Sequence, residues 1–333
     1  MASLLVLNIG SSSIKYALFE LESLERMDHG KINCQPSQSE DVLKDLIHKF
    51  PAPDMVAHRI VHGGDQFRAA TLLNDDILNR LEIYSPFAPL HQPHNLNGAR
   101  IIQKLLSDVP QYGCFDTAFH AGHDELHSAF AIPKDLRDMG LRRYGFHGLS
   151  YDWISRQINV KRAVISHLGS GASLCAVLDG KSIDTTMGLT ALDGLPMSTR
   201  TGSIDAGFIL YLTQHLHYTP EQIEHILYNE SGLKGLSGIT GDVKTLQESD
   251  DPRAKLALDY FAFKTAQHVA MMAVSLGGLD ALVFTGGVGE NSEWMRNAIL
   301  NQLKFLPPFD VMVIPTNEEK MIAIQVKEVV GNA

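Results

Sequence analysis

Residues 4–19 read LLVLNIGSSSIKYALF, so two apolar runs flank a short polar turn. Apolar runs of this length, bounded by turn residues, are typical of buried strands and predict a strand–turn–strand unit. The turn between Asn8 and Lys15 holds one glycine and three serines. Its backbone amides and hydroxyls suit an anion such as phosphate. An ordinary hairpin with a polar turn explains the same residues equally well.

The same pattern returns in the second half of the chain. Residues 163–168 (AVISHL) and 172–178 (ASLCAVL) are apolar runs on either side of Gly169-Ser170-Gly171. Two copies of one unit indicate an internal duplication and predict two related α/β domains. A third glycine site follows the apolar run 281–284, where TGGVGEN at 285–291 precedes a helical pattern. A strand, a glycine turn and a helix in this order are typical of nucleotide binding.

Composition places the chain among ordinary globular proteins. Its 333 residues are 44% hydrophobic and 20% charged, which suffices for two domains. A formal net charge of −10 argues against a nucleic-acid or membrane-surface role, since either needs a basic face. Three scattered cysteines suggest a reducing compartment. No signal or spanning segment is recognisable, so we expect a cytoplasmic protein without membrane partners.

Several charged residues stand where ligands are commonly bound. Arg59 lies in an apolar strand pattern, where its guanidinium predicts a grip on a carboxylate or phosphate; a structural ion pair is the alternative. Asp116 follows the predicted strand 111–115, at the edge where open α/β sheets bind ligands. A helix N-cap would suit Asp116 equally well. His91 follows two prolines, and Arg200 is a lone cation in a loop at 192–203.

Taken together, these motifs resemble the acetate kinase (acetokinase) family, which includes propionate kinases. The matching segments span nearly the whole chain: 8–15 (NIGSSSIK), 58–64 (HRIVHGG), 89–91 (PLH), 115–120 (FDTAFH), 143–148 (RYGFHG), 167–169 (HLG), 286–291 (GGVGEN) and 316–319 (TNEE). The resemblance implies the α/β actin-like/sugar-kinase fold: two duplicated, ribonuclease H-like domains with a nucleotide cleft between them. It places an acyl- and phosphoryl-binding domain at 1–145, joined by a C-terminal helix at 318–333, and a nucleotide-binding domain at 146–317.

The resemblance also implies a reaction and a set of roles. The reaction is reversible, direct in-line phosphoryl transfer from ATP to acetate, which gives acetyl phosphate and ADP. Arg59 and Arg200 would hold the carboxylate and the phosphoryl group, and His167 would stabilise the transition state. Asp116 would organise the site, with His91 as a secondary support. Such transfer depends mainly on positioning and positive charge.

Cofactor and nucleotide residues follow from the same resemblance. Asn8 and Glu318 would serve the metal, Mg²⁺ or alternatively Mn²⁺. ATP or ADP would be bound by residues near the three glycine sites and the 241–244 segment. These residues are Lys15, Gly169, Gly171, Asp242, Lys244, Gly286, Gly287, Gly289, Glu290 and Asn291.

The chain departs from the family pattern in several places. It is several dozen residues shorter than typical members, with expected losses before Arg59, between 291 and 316, and beyond Ala333; a homodimer is still expected. Lys244 stands where arginine is usual, which predicts an altered nucleotide preference. Ala191 replaces a proline of the acyl pocket, so propionate or butyrate would be accepted as well as acetate. Ser198 replaces a glycine, and Tyr151 a histidine.

Two other functions are compatible with parts of the sequence. Fifteen histidines invite a zinc hydrolase, but the pairs 91/94 and 120/123 lack a His-Glu-x-x-His helix and accompanying thiolates. A non-catalytic nucleotide-binding module of the same fold is the second alternative. The complete set of expected catalytic residues argues against it.

Overall fold

The structure, a computed structural model, describes residues 2–331. Within them the chain forms two compact units: unit 1 comprises 2–121, 146–153 and 317–331, and unit 2 comprises 122–145 and 154–316. This division differs from a single boundary at 145/146, because 122–145 pack with unit 2 and 146–153 with unit 1. The C-terminal helix belongs to unit 1. The roles assigned to the two domains, and the nucleotide cleft, stay predictions.

Unit 1 is built on a mixed six-stranded sheet. Its strands are β1 (Ser3–Ile9), β2 (Ser13–Glu20), β3 (Arg26–Asn33), β4 (Met55–Ile60), β5 (Thr71–Leu72) and β6 (Gln111–Phe115). Their order across the sheet is β3-β2-β1-β4-β6-β5. The first three strands form an antiparallel meander, and β4 and β6 then run parallel to β1. The predicted strand–turn–strand unit is therefore β1–β2.

Unit 2 repeats this plan. Its strands are β7 (Arg162–Leu168), β8 (Ala172–Leu178), β9 (Lys181–Thr185), β10 (Ala281–Thr285) and β11 (Asp310–Val313). The order β9-β8-β7-β10-β11 again places three antiparallel strands beside two parallel ones. Asp179 and Gly180 both have positive φ, 49° and 77°, as a type I′ hairpin requires. The duplicated α/β architecture is confirmed.

Helices cover both faces of the unit 1 sheet. They are α1 (Ser39–His48), α2 (Asp75–Glu82), α3 (Gln92–Leu105) and α14 (Glu318–Val330), with short 3₁₀ turns at Pro36–Gln38, Ser85–Phe87 and Ala118–His120. Leu4 and Val6 pack with the apolar face of α14, whereas Leu5 and Leu7 pack with α1 and α3. Burial on both faces is why β1 is apolar throughout 4–7 instead of alternating.

In unit 2 one long helix forms most of the packing against the sheet. The helices are α4 (Glu125–Ser128), α5 (Lys134–Asp138), α7 (Ala206–Gln214), α8 (Pro220–His225), α9 (Gly232–Ser237), α10 (Val243–Gln247), α11 (Pro252–Leu276), α12 (Gly286–Asn291) and α13 (Glu293–Gln302), with a π-helical turn at Ile226–Glu230. A further helix, α6 (Gly148–Ser155), crosses the boundary of the units. Helix α11 begins at the Asp251 cap and ends at Gly277, whose φ is +65°. It packs on β8, α9 and α13.

Some elements differ from the sequence expectation. Strands β3 and β5 were not predicted, and residues 286–291 form α12 where a turn was expected. Among residues 2–331, no helix is long and apolar enough to cross a membrane.

Candidate active site

In unit 1 the predicted functional side chains meet where two parallel strands end. Arg59 is the second-to-last residue of β4, and Asp116 follows β6 directly. Because adjacent parallel strands end at one edge of the sheet, the two side chains lie together. Arg59 Nε donates to Asp116 Oδ1 at 3.0 Å, and Nη2 donates to Oδ2 at 2.6 Å. Glu318, the first residue of α14, places Oε2 3.3 Å from Arg59 Nη1.

The three charges of this cluster are largely removed from solvent. The side chains of Arg59, Asp116 and Glu318 are 18%, 2% and 13% exposed. Burial opposes the charge of Arg59, but the neighbouring carboxylates outweigh it and raise the pKa of the guanidinium. Burial raises the pKa of Asp116, while the guanidinium opposes that shift. Two short bonds from a guanidinium hold Asp116 in its ionised form.

The contacts of Asp116 and Arg59 bear on the alternative roles of both residues. The carboxylate of Asp116 binds Arg59 and does not cap a helix; Thr117 holds the N-cap position of the following 3₁₀ turn. The structural ion pair that was the alternative for Arg59 is present, and the predicted grip on a ligand stays a prediction. A second carboxylate, that of Glu318, lies beside the same guanidinium, so one arginine is paired with two acidic side chains.

The remaining unit 1 candidates lie on the opening hairpin and at α3. Asn8 and Lys15 face each other in the β1–β2 register, and Lys15 is exposed. Gly10 N–H donates to Ser13 O, and Gly10 is not among the glycines with positive φ. His91 precedes α3. The metal role of Asn8, the nucleotide role of Lys15 and the support by His91 stay predictions.

In unit 2 two glycine segments lie side by side at the ends of β7 and β10. His167 pairs with Thr285 in the parallel register of these strands. A Cβ on Gly169 would lie 3.8 Å from Gly287 N, and Gly169 N–H donates to Gly171 O at 2.9 Å. The structure therefore brings His167 and both predicted glycine sites to one edge of the sheet.

Segment 286–291 is shaped by its own side chains as well as by glycine. Gly286 has a φ of +77°, and a Cβ there would lie 2.8 Å from Leu168 O. Gly287 is exposed, and a Cβ there would have no atom within 4 Å. The carboxylate of Glu290 accepts Gly286 N–H at 2.9 Å, and Asn291 Nδ2 donates to Gly287 O at 2.8 Å. Gly289 is buried.

The loop that carries Arg200 is joined to the first glycine segment. Arg200 Nη1 donates to the Ala191 carbonyl at 3.0 Å and lies 3.6 Å from Met197 Sδ. Ser198 N–H donates to Ser170 O at 3.2 Å. These bonds hold the Arg200 side chain within its own loop and join that loop to the turn at 169–171.

The expected adenine segment is joined to the same loop. Ser198 Oγ donates to Gly241 O at 3.0 Å. Asp242 caps α10: its Oδ1 accepts from Thr245 N–H and from Thr245 Oγ, both at 2.8 Å, and these bonds lower its pKa. Lys244 is exposed on α10. Four segments of unit 2 thus hold their predicted ligand residues in one connected group.

Comparison with known proteins identifies the family. A profile described as "Acetokinase family" matches residues 38–309. The chain belongs to the acetokinase family. It is 39% identical to an acetate kinase of Nitrobacter hamburgensis, over 97% of this chain and 95% of that protein. That alignment runs to 383 positions, more than the 333 residues of this chain, so the relative holds segments that this chain lacks.

Solved structures of the acetokinase family share the fold. A propionate kinase from Francisella tularensis superposes with a TM-score of 0.90 at 33% identity, covering 98% of this chain and 99% of that one. An acetate kinase from Porphyromonas gingivalis superposes with a TM-score of 0.87 at 30% identity, covering 99% of this chain and 100% of that one. The predicted family and its actin-like fold are confirmed.

Sequence reasoning missed several residues that shape this acetokinase site. The π-helical turn at 226–230 binds the Arg200 loop: Thr199 Oγ donates to Tyr228 O at 2.7 Å, and Thr201 N–H donates to Leu227 O at 3.0 Å. The Tyr228 hydroxyl bonds to Thr190, and burial raises the Tyr228 pKa. A π-turn is frequent at functional sites, but sequence carries no pattern for it.

Proposed function

We propose that this acetokinase transfers the terminal phosphoryl group of ATP to a short-chain carboxylate. An oxygen of the carboxylate forms the new P–O bond, the bond from the terminal phosphorus to the bridging oxygen breaks, and ADP leaves with that electron pair. The carboxylate is already ionised at neutral pH, so no general base is needed. The observation that carries the proposal is the buried Arg59–Asp116–Glu318 cluster in a chain of this family.

In this proposal each unit supplies its own part of the chemistry. Arg59 offers N–H donors to an anionic oxygen, and Asp116 and Glu318 hold its guanidinium in one orientation. His91 supports that arrangement. In unit 2, Arg200 and His167 supply positive charge and hydrogen bonds to phosphoryl oxygens. Proteins catalyse phosphoryl transfer mainly by positioning the reactants and by preorganised charges that stabilise the transition state.

The nucleotide would lie on the connected segments of unit 2. Gly287 supports this, because its exposed backbone faces space that no protein side chain fills. Gly169 and Gly171 lie beside it, and Asp242 and Lys244 would flank the base.

The donor set fits Mg²⁺, with Mn²⁺ as the alternative. Residues 2–331 contain no group of three or more His, Cys, Asp or Glu side chains that could hold a metal. Mg²⁺ in kinases needs only one or two protein oxygens, because water and phosphate supply the rest. Glu318 and Asn8 offer a carboxylate and an amide oxygen. When bound, the metal would neutralise charge on the phosphate chain.

A hydroxylamine trap tests the proposal. With ATP, Mg²⁺ and acetate, propionate or butyrate, we expect a hydroxamate product from at least one acid. Arg59→Ala should lower kcat by about two orders of magnitude or more. Arg100→Ala is the matched control, since Arg100 pairs with Glu82 at the surface of unit 1. No product with any of the three acids refutes the proposed activity and favours a nucleotide-binding module.

A homodimer is the oligomeric state that we propose. Large apolar side chains of unit 2 are exposed on two helices: Leu210 and Tyr211 on α7 are 56% and 54% exposed, and Val274 on α11 is 81% exposed. Such surfaces commonly mark protein interfaces. Light scattering should give twice the chain mass, and Val274→Glu should reduce it; a monomer at all concentrations contradicts the proposal.

A further inference from the structure

One oxygen of Glu290 connects two separate parts of unit 2. Glu290 Oε1 accepts the backbone N–H of Gly286 at 2.9 Å and that of Thr316 at 3.0 Å. The Thr285 hydroxyl lies 3.5 Å from the same atom. Bonds from neutral donors to a carboxylate are stronger than bonds between neutral groups. This oxygen of the carboxylate therefore binds the protein's own backbone at two separate points.

The bond from Gly286 N–H to Glu290 holds the glycine segment 286–289, beside which the proposed nucleotide would lie. Gly286 has a φ of +77° and packs against Leu168 O, so its peptide unit has little freedom. The exposed Gly287 follows it directly. Fixing Gly286 N–H therefore fixes the orientation of the Gly287 backbone, which is where phosphate oxygens would be bound.

The second bond holds the residue from which the chain enters the first unit. Thr316 is the last residue of unit 2, and Asn317 is the first of the following unit 1 segment. Asn317 caps α14 by accepting Lys320 N–H at 3.1 Å, and Glu318 is the first residue of that helix. Glu318 in turn contacts Arg59 at 3.3 Å. Only Asn317 therefore separates Thr316, which is bound by Glu290, from Glu318 at the start of α14.

We propose that Glu290 is a positioning residue that couples the glycine segment 286–289 to residues 316–318. Because both amides share one acceptor oxygen, a shift of Gly286 when a nucleotide binds changes the bond to Thr316, and the reverse also holds. The residue acts on the nucleotide through the backbone of Gly286 and on the Arg59 cluster through Glu318. This inference rests on the proposed function and deepens it.

Other contacts hold the segment when the Glu290 carboxylate is removed. Arg296 Nη1 donates to the carbonyls of Gly289 and Glu290, both at 2.9 Å, and Asn291 Nδ2 donates to Gly287 O. Helix α12 also follows the fully buried strand β10. Removing the carboxylate is therefore expected to release Gly286 and Thr316 without unfolding unit 2.

Steady-state kinetics of three variants test the coupling. Glu290→Ala removes both bonds, whereas Glu290→Gln keeps one oxygen that can accept them. Glu293→Gln is the matched control, because it removes a nearby exposed carboxylate that begins α13. We expect Glu290→Ala to raise the KM for ATP about tenfold or more and to lower kcat as well. Glu290→Gln should stay within about threefold of the wild type for both constants.

Hydrogen–deuterium exchange tests the coupling without turnover. ADP should protect the amides of 286–289 and of 316–318 in the wild type and in Glu290→Gln, but only those of 286–289 in Glu290→Ala. A merely structural role would raise exchange in Glu290→Ala without abolishing the ADP effect at 316–318. Protection at 316–318 that persists in Glu290→Ala, or kinetics of Glu290→Ala equal to those of Glu293→Gln, overturns the proposal.

The two hypotheses fail in different ways. If the wild type binds ADP but makes no acyl phosphate, the proposed function is wrong while the exchange experiment still tests Glu290. If acyl phosphate forms and ADP protects 286–289 but never 316–318, only the coupling is wrong.

Discussion

Three buried histidines should make unit 1 sensitive to acid. Burial lowers the pKa of His58 to about 4, of His62 to about 3 and of His120 to about 4. An unfolded histidine binds its proton near pH 6.5, so between about pH 6.5 and pH 4 the unfolded chain binds more protons than the folded one. Stability therefore falls as pH is lowered through this window, and is fully present above it.

The surroundings of the rings explain why they stay neutral. His62 Nδ1 accepts Gly64 N–H at 3.0 Å, so a proton on that nitrogen would break the bond. The His62 ring also stacks on Tyr84, with centroids 4.9 Å apart. His58 Nε2 lies 2.7 Å from Gln111 Oε1, and its Nδ1 has no hydrogen-bond partner in the described structure. None of these contacts supplies a carboxylate to stabilise an imidazolium.

The size of the effect follows from the pKa differences. A histidine whose pKa falls from about 6.5 in the unfolded chain to about 4 in the folded one lowers the free energy of unfolding by about 2 kcal/mol when the pH changes from 8 to 5. With additive contributions, the three histidines together should lower the free energy of unfolding by about 6 kcal/mol over the same pH change. A typical domain is stable by only about 5–15 kcal/mol, so unit 1 should be close to unfolding at pH 5.

Urea unfolding followed by tryptophan fluorescence measures this loss in one unit. The chain has two tryptophans, and Trp153 packs on the unit 1 core that includes α14. In a Trp294→Phe background, Trp153 reports on unit 1 alone. We expect the unfolding free energy at pH 5 to be lower than at pH 8 by roughly 6 kcal/mol.

Two substitutions separate the histidines from other titrating groups. His58→Gln should reduce the difference between the two pH values by about 2 kcal/mol, whatever its effect on stability at pH 8. His48→Gln replaces an exposed histidine of α1 and should leave the difference unchanged. A total loss below about 2 kcal/mol, or equal effects of both substitutions, would refute the reasoning.

Three further predictions concern the site. Arg200→Ala should lower kcat by about 100-fold or more with little change in the melting temperature, and a near-normal rate contradicts its role. Asp116→Asn should destabilise unit 1 by about 3 kcal/mol in urea unfolding, because it weakens a buried ion pair, and a neutral effect argues against the pairing. Ala191→Pro should shift the ratio of kcat/KM for propionate over acetate towards acetate by about tenfold; an unchanged ratio shows that residue 191 does not shape the acyl pocket.

The sequence predicted those parts of the site that lie at the ends of apolar strands. Arg59 and Asp116 follow from strand patterns plus the rule that parallel strands end at one edge, whereas the role of His167 came only from the family resemblance. The partnership of Glu318 with Arg59 does not, because a helix at the end of the chain meets a strand near its beginning. Only the family resemblance placed them in one site.

The elements that were missed lack a local signal. Strand β3 has largely exposed residues, and its sequence RMDHGKIN holds few apolar side chains. Helix α12 begins with two glycines, which disfavour helix by about 1 kcal/mol each. Tertiary bonds from Glu290 and Arg296 hold it nonetheless. Glu290 lies one helical turn after Gly286, so a helix prediction for 286–291 would have placed its carboxylate beside that amide.

Arg59 is paired with two carboxylates, and this pairing determines which of its N–H donors stay available. A guanidinium has five N–H donors; Asp116 accepts two, and Glu318 lies near one more. Two donors therefore remain for an anionic oxygen, in an orientation that the carboxylates set. The ionised cluster carries one net negative charge, which repels a free carboxylate and attracts a divalent cation. An anionic substrate would then meet a favourable field only when a cation is also bound.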